Sequence, residues 1–177
     1  MRASSIGLYL YWYLAECIRD SGTGGLRAPE TIGSAPGLDD MFWQTLLITA
    51  CLVIFLGPWL VYHLIVRQTD TTFWCVFGAG LFVFPMGLLS VVMFDSLTGL
   101  NPFIIIRSIS SSFFPYCAMV ALFALMGLLL YAGARAAEQS AVLGAIVFLV
   151  RMYLLLVGSH LLGRFYFRYQ EKLNWDV

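Results

Sequence analysis

The stretch FLVRMYLLLVG, Phe148 to Gly158, sets one arginine, Arg151, among ten uncharged and mostly large apolar residues. A guanidinium keeps its charge in any protein environment. In an apolar helix that charge needs an acid, a set of backbone carbonyls or an anionic ligand. An arginine at the centre of a membrane helix costs about 2.5–3.5 kcal/mol on insertion scales. Gly144, Arg151 and Gly158 lie seven residues apart and share one helix stripe. Small residues on such a stripe let a second helix approach closely, which predicts that Arg151 faces a bundle interior. The acids of the chain fall outside its long apolar tracts, with Asp95 at a margin. Carbonyls freed by proline are then the expected partners. Pro85 has no N–H to give the carbonyl of Leu81, and Pro58 none for that of Ile54. Capture of an anionic headgroup or solute by Arg151 is the functional alternative, and snorkelling of the side chain a third.

A second set of cations lies in LLGRFYFRYQEKLNWDV (Leu161–Val177), where Arg164, Arg168 and Lys172 recur every four residues and share a helix face. Phe165, Tyr166, Phe167, Tyr169 and Trp175 surround them. Basic and aromatic residues at the end of a span form a headgroup belt and attract anionic lipid. Arg151, Arg164, Arg168 and Lys172 are therefore the anion- or lipid-binding candidates. The alternative for the tail is a helix that docks a protein partner.

Other chemistry finds less support. His63 and His160 fall near the ends of different apolar tracts, and two separated histidines do not make a metal site. Cys17, Cys51, Cys75 and Cys117 include no C-x-x-C pair and read as small buried hydrophobes. H-E-x-x-H and G-x-S-x-G are absent. Ser90 has no histidine at its depth, and GTGG (Gly22–Gly25) lacks the strand and helix of a phosphate loop. The expectation is a chain without catalytic residues, metal or cofactor.

The elements that must hold these residues follow from composition. The 177 residues are 60% hydrophobic and 11% charged, with mean hydropathy +0.85. Soluble domains carry about 25% charged residues, so a water-facing shell cannot be built. Ten basic and ten acidic residues balance, which speaks against nucleic-acid binding. Four apolar runs stand out: Trp43–Val66, Phe73–Phe94, Phe113–Tyr131 and Ser140–Leu162, of 24, 22, 19 and 23 residues. Each matches the ~20 residues of a membrane helix, and backbone polar groups in lipid require helices. The connections Arg67–Thr72, Asp95–Ser112 and Ala132–Gln139 are short, so sequential spans are antiparallel. Within the middle connection the chain turns at Gly99. It restarts at Asn101 as N-cap with Pro102 at the first helical position, giving an interfacial helix over Phe103–Ser112. Pro115 then kinks this helix or separates it from the third span.

Residues 1–40 differ. IGLYLYWYLAECI (Ile6–Ile18) is shorter than a span and reads as an interfacial aromatic segment, and Asp20–Asp40 as a flexible linker. The chain thus divides into that segment (1–40) and a four-span domain (41–177). The expected fold is all-α, an integral membrane four-helix bundle with a short interfacial helix between spans 2 and 3. One side carries Arg19, Arg27, Arg107, Arg164, Arg168 and Lys172, the other Arg67 and Arg135. The positive-inside rule makes the first side cytoplasmic, and an even span count places both termini there.

FVFPMGLLSVVMFDSLTGLNPFIIIRSI (Phe82–Ile109) and HLLGRFYFRYQEKLNW (His160–Trp175) resemble uncharacterised multi-pass membrane proteins common in planctomycetes and related bacteria. The resemblance extends over about residues 39–177 and rests on Phe84–Pro85–Met86, Ser96, Asn101–Pro102 and Leu162–Gly163–Arg164. It implies a small helical domain of a bacterial cytoplasmic membrane and carries no activity. Some members place a zinc ribbon ahead of the linker. This chain departs there, since Cys17 stands alone. The sequence therefore points to a non-enzymatic structural or accessory module, in contact with the bilayer, anionic lipids or other membrane proteins. The alternative is a small transporter or anionic-lipid-binding protein using Arg151.

Overall fold

The computed structural model describes residues 2–25, 29, 36–137, 140–173 and 175, with side chains from residue 7 onward except at 136 and 141. The centre of the expected linker, including Arg27, lies outside the described residues. The described chain is all helical: α1 (Arg2–Gly22), α2 (Leu38–Val66), α3 (Thr71–Phe94), a 3-10 turn (Leu97–Leu100), α4 (Pro102–Ser111), α5 (Phe113–Ala137) and α6 (Ala141–Leu173). Four of them, α2, α3, α5 and α6, are long and apolar enough to cross a membrane.

Helix ends fall where local chemistry puts them. Asp70 caps α3, its carboxylate accepting the Phe73 N–H at 3.0 Å and the Tyr62 hydroxyl at 2.7 Å. These donors hold the Asp70 carboxyl below the usual carboxylate range. Asp95 ends α3 in the left-handed conformation, φ 48°. The chain then folds back so tightly that a Cβ on Gly99 would sit 2.8 Å from the Ser90 backbone. Asn101 caps α4 by accepting the Phe103 N–H at 3.0 Å, and Pro102 occupies the first turn. The expected interfacial helix is this α4, which buries Ile105 and Ser108 while Phe103 and Ile106 stay exposed. Pro115 lies in the first turn of α5, where its missing N–H has no intrahelical partner to lose.

The region read as a short interfacial segment is a 21-residue helix, α1. At 1.5 Å per residue that is about 31 Å, the reach of a span. Its main packing partner is α6. Ile18, Ser21 and Gly22 crowd Gly163, whose missing side chain lets the backbones touch, and Gly22 also meets Tyr166. Arg19 reaches the C-terminus of α3. Leu10 and Leu14 share a cavity wall with Arg151 and Leu154 of α6 and Leu81 of α3, whereas Arg19 and Gly22 meet Asp95 and Tyr166, so the three helices run in one direction. The five long helices pack most densely at the end holding the C-termini of α1, α3 and α6. Ile18, Leu89, Ile105, Tyr116, Leu162 and Tyr166 form the core there. The opposite end opens into two hairpins. In one, α2 and α3 lock by Phe55 filling the notches of Gly80 and Gly87, and by Trp59 against Phe73 and Phe77. In the other, α5 and the first half of α6 are exposed along most of their length.

Candidate functional site

Where the two hairpins separate from the core they leave a cavity of about 500 Å³. Residues of α1, α2, α3, α5 and α6 line it, almost all apolar. Its charged lining residue is Arg151, accompanied by the polar side chains of Tyr11 and Ser159. Leu81 and Pro85 share the cavity wall with Arg151, so the second and fourth spans do place these residues at similar depth.

Arg151 does not make the bonds expected of it. Among the described residues it has no hydrogen bond or ion pair, and its side chain is exposed at the cavity rim. The reason is visible on its stripe. Gly158 packs closely, 3.1 Å from its notional Cβ to Phe123, but Gly144 faces open space. The stripe is covered on one side of Arg151 only. The donor that reaches this stretch of α3 is Tyr116 of α5, whose hydroxyl donates to the Phe82 carbonyl, one residue from the Leu81 carbonyl that Pro85 frees. The expected donor near Pro85 was the Arg151 guanidinium. A hydroxyl at matching depth was the other donor to look for.

The cation that does lock the core is Arg19. Its Nη2 lies 3.0 Å from Asp95 Oδ1, its Nε donates to the Val92 carbonyl at 3.2 Å, and its Nη1 lies 3.5 Å from Glu16. Gln44 of α2 donates to the same Asp95 oxygen. Four charged or amide groups from three helices thus meet at the packed end. Reading α1 as interfacial hid this cluster.

Arg164, Arg168 and Lys172 do not join Arg151. They lie 13 or more residues further along α6, a rise of about 20 Å. Each sits over a ring of its own helix: Arg164 over Phe167 at 5.3 Å, Arg168 over Tyr169 at 6.0 Å, Lys172 over Tyr169 at 5.8 Å. Arg168 and Lys172 are exposed, Arg164 half-buried. The surrounding aromatics divide. Phe167 points outward, but Phe165 and Tyr166 enter the core, and Trp175 folds back so that its Nε1 donates to Ser108 of α4 at 2.8 Å. The tail is thus anchored to the protein by Phe165, Tyr166 and Trp175.

The remaining candidates are satisfied internally. Ser90 is fully buried, its hydroxyl within 2.8 Å of the Gly99 carbonyl and 3.0 Å of the Gly87 carbonyl. His160 bonds Ser21 through Nδ1 at 2.6 Å, and Ser21 is sealed in the core at 1% exposure, out of reach of a substrate. His63 stacks on Trp59 at the other end of the bundle. Among the described residues no three histidine, cysteine or acidic side chains are placed to hold a metal ion. Comparison with family models, curated proteins and solved structures finds no match for this chain.

Proposed function

We propose that the chain is a multi-pass integral membrane protein that holds an anionic amphiphile in the Arg151 cavity and carries out no chemistry on it. The observation behind this reading is a guanidinium without a protein partner among the described residues, set at the rim of an apolar cavity. An apolar wall with one fixed cation binds and orients, and the lining offers no histidine or carboxylate to activate the Tyr11 or Ser159 hydroxyl. The cost of an unmet charge at that depth falls when an anion takes its place. Lipid extraction from the purified protein tests this. Anionic amphiphile should copurify with the native chain, and Arg151→Met should lose it while keeping its melting temperature within a few degrees. Equal retention by the variant would overturn the reading.

An accessory role beside other membrane proteins is the second reading. It draws on the exposed faces of α5 and α6, which offer apolar surface to further helices as readily as to lipid. For topology we propose that the packed end faces the cytoplasm of a bacterial inner membrane. Arg19, Arg107, Arg164, Arg168 and Lys172 lie toward it, Arg67 and Arg135 toward the open end. Because α1 runs parallel to α6 over about 31 Å, the same reading puts the start of α1 near the outer face. The four apolar helices remain the spans expected from the sequence; on this reading α1 adds a fifth crossing, which puts the start of α1 and the end of α6 on opposite sides instead of the shared side that an even span count gives.

A further inference from the structure

We infer that the ligand of the Arg151 cavity is a single-chain carboxylate of the long-chain fatty acid class; this rests on the anionic-amphiphile reading and narrows it. Size is the first argument. An apolar cavity of about 150 Å³ accommodates benzene, six carbons. The cavity here, about 500 Å³, holds roughly three times as much, on the order of twenty carbon atoms by that scale. That is one acyl chain with its head, and about half of a diacyl lipid.

Depth is the second argument. Arg151 is the eleventh residue of α6, about 15 Å from the start of the helix, and stands near the centre of the apolar run Ser140–Leu162. A diacyl lipid could bring its phosphate to that level only by dragging its glycerol esters out of the headgroup layer. A carboxylate is a far smaller polar head, so less must be desolvated, and its two oxygens match the two parallel N–H bonds of a guanidinium. The third argument is the lining. Leu10, Leu14, Leu52, Val120 and Leu154 offer a hydrocarbon wall contributed by four helices. Ser159 sits about 12 Å further along α6 than Arg151. Its hydroxyl has no hydrogen bond among the described residues, unlike those of Ser90, Ser108, Ser110, Ser111 and Ser112. A single acyl chain with its carboxylate at Arg151 has its hydrocarbon met along the leucine and valine wall, and the Ser159 hydroxyl plays no part in holding it.

Native mass spectrometry of the full chain in detergent, titrated separately with palmitate, hexadecanol and phosphatidylglycerol, tests the inference. One palmitate per chain is expected, bound at least tenfold more tightly than hexadecanol and phosphatidylglycerol. Arg151→Met should reduce palmitate binding at least tenfold, Arg151→Lys by less, because one donor fork is lost but the charge stays. Leu155→Trp, which fills the cavity and leaves the arginine, should abolish it. Tighter binding of phosphatidylglycerol, lost on Arg151→Met, would overturn the carboxylate assignment and leave the broader reading standing. Binding of palmitate and of phosphatidylglycerol no tighter than that of hexadecanol, a comparison that needs no variant, would overturn both.

Discussion

Tyr116 holds its hydroxyl against the Phe82 carbonyl inside the core, where the ring is fully buried and no water competes. Removing one partner of a buried hydrogen bond costs about 1–3 kcal/mol, because the other is left unmet. Tyr116→Phe should therefore cost stability of that order and lower the unfolding midpoint in detergent, although it deletes one atom. Arg151→Met deletes a whole charge and should cost less, since no protein bond is broken. A larger loss for Arg151→Met than for Tyr116→Phe in thermal melts would show that the arginine is a lock after all. The contrast explains what could be read at this scale. Arg151 was conspicuous as an isolated charge, and its depth beside Leu81 was deducible from span order. Its partnerless state was not, because sequence spacing fixes a face and cannot say that Gly144 on that face meets nothing. Tyr116 escaped notice because one tyrosine among so many aromatics carries no sign that its hydroxyl is engaged.

Helix ends obey rules with a period of a few residues, and there the sequence was legible: Asn101–Pro102 opens α4, Asp95 closes α3, and four apolar runs become four long helices. The helix α1 was read differently because its apolar stretch, Ile6–Ile18, counts 13 residues before Arg19 and Asp20, fewer than the ~20 of a span. What stabilises it is contact with α6, and Gly163 is the point of closest approach. A methyl group at that point would press on the Ile18 carbonyl and the Gly22 nitrogen, both backbone, so neither can swing aside. Gly163→Ala should push α1 from the bundle and cost on the order of 1–3 kcal/mol, as overpacked sites do. Limited proteolysis should then cut α1 while α2 to α6 remain intact; an unchanged digest would mean that α1 does not depend on this contact. The hairpin between α2 and α3 has a pH dependence of its own. Asp70 holds its charged form by accepting from Tyr62 and Phe73, so its folded pKa lies below the unfolded value near ~3.9. The linkage is that of a depressed carboxylate. Its stabilisation is present above that value and is lost as pH falls through the lower, folded one. Asp70→Asn should thus melt below the native chain at about pH 6 and approach it near about pH 2.5. A constant difference between the two pH values would remove the charge from the account.

Across the whole molecule, charge and packing are arranged along one axis. The end that packs most densely also gathers Arg19, Arg107, Arg164, Arg168 and Lys172, and the open end holds Arg67 and Arg135. Tight packing near the basic end lets α1 be held by groups that tolerate the interface: the Arg19–Asp95 pair, Gln44, and Ser21 with His160. Toward the middle of the bilayer such groups are costly, and there the bundle supplies one cation and an empty volume instead. Topology follows from the directions of α1 and α6. If α1 crosses, a cysteine at Ala3 and one at Gln170 must report opposite sides, while Thr69 and Arg135 report the side of Ala3. Each site can be introduced singly into a chain whose own four cysteines are alanine, then labelled in intact cells with a membrane-impermeant maleimide. Labelling is expected at positions 3, 69 and 135 and not at 170. Labelling at 69 and 135 with protection at 3 would return α1 to one leaflet and both chain ends to the cytoplasm. It would also withdraw α1 from the wall of the Arg151 cavity, because a helix lying flat at the basic end cannot bring Leu10 and Tyr11 to the depth of the arginine.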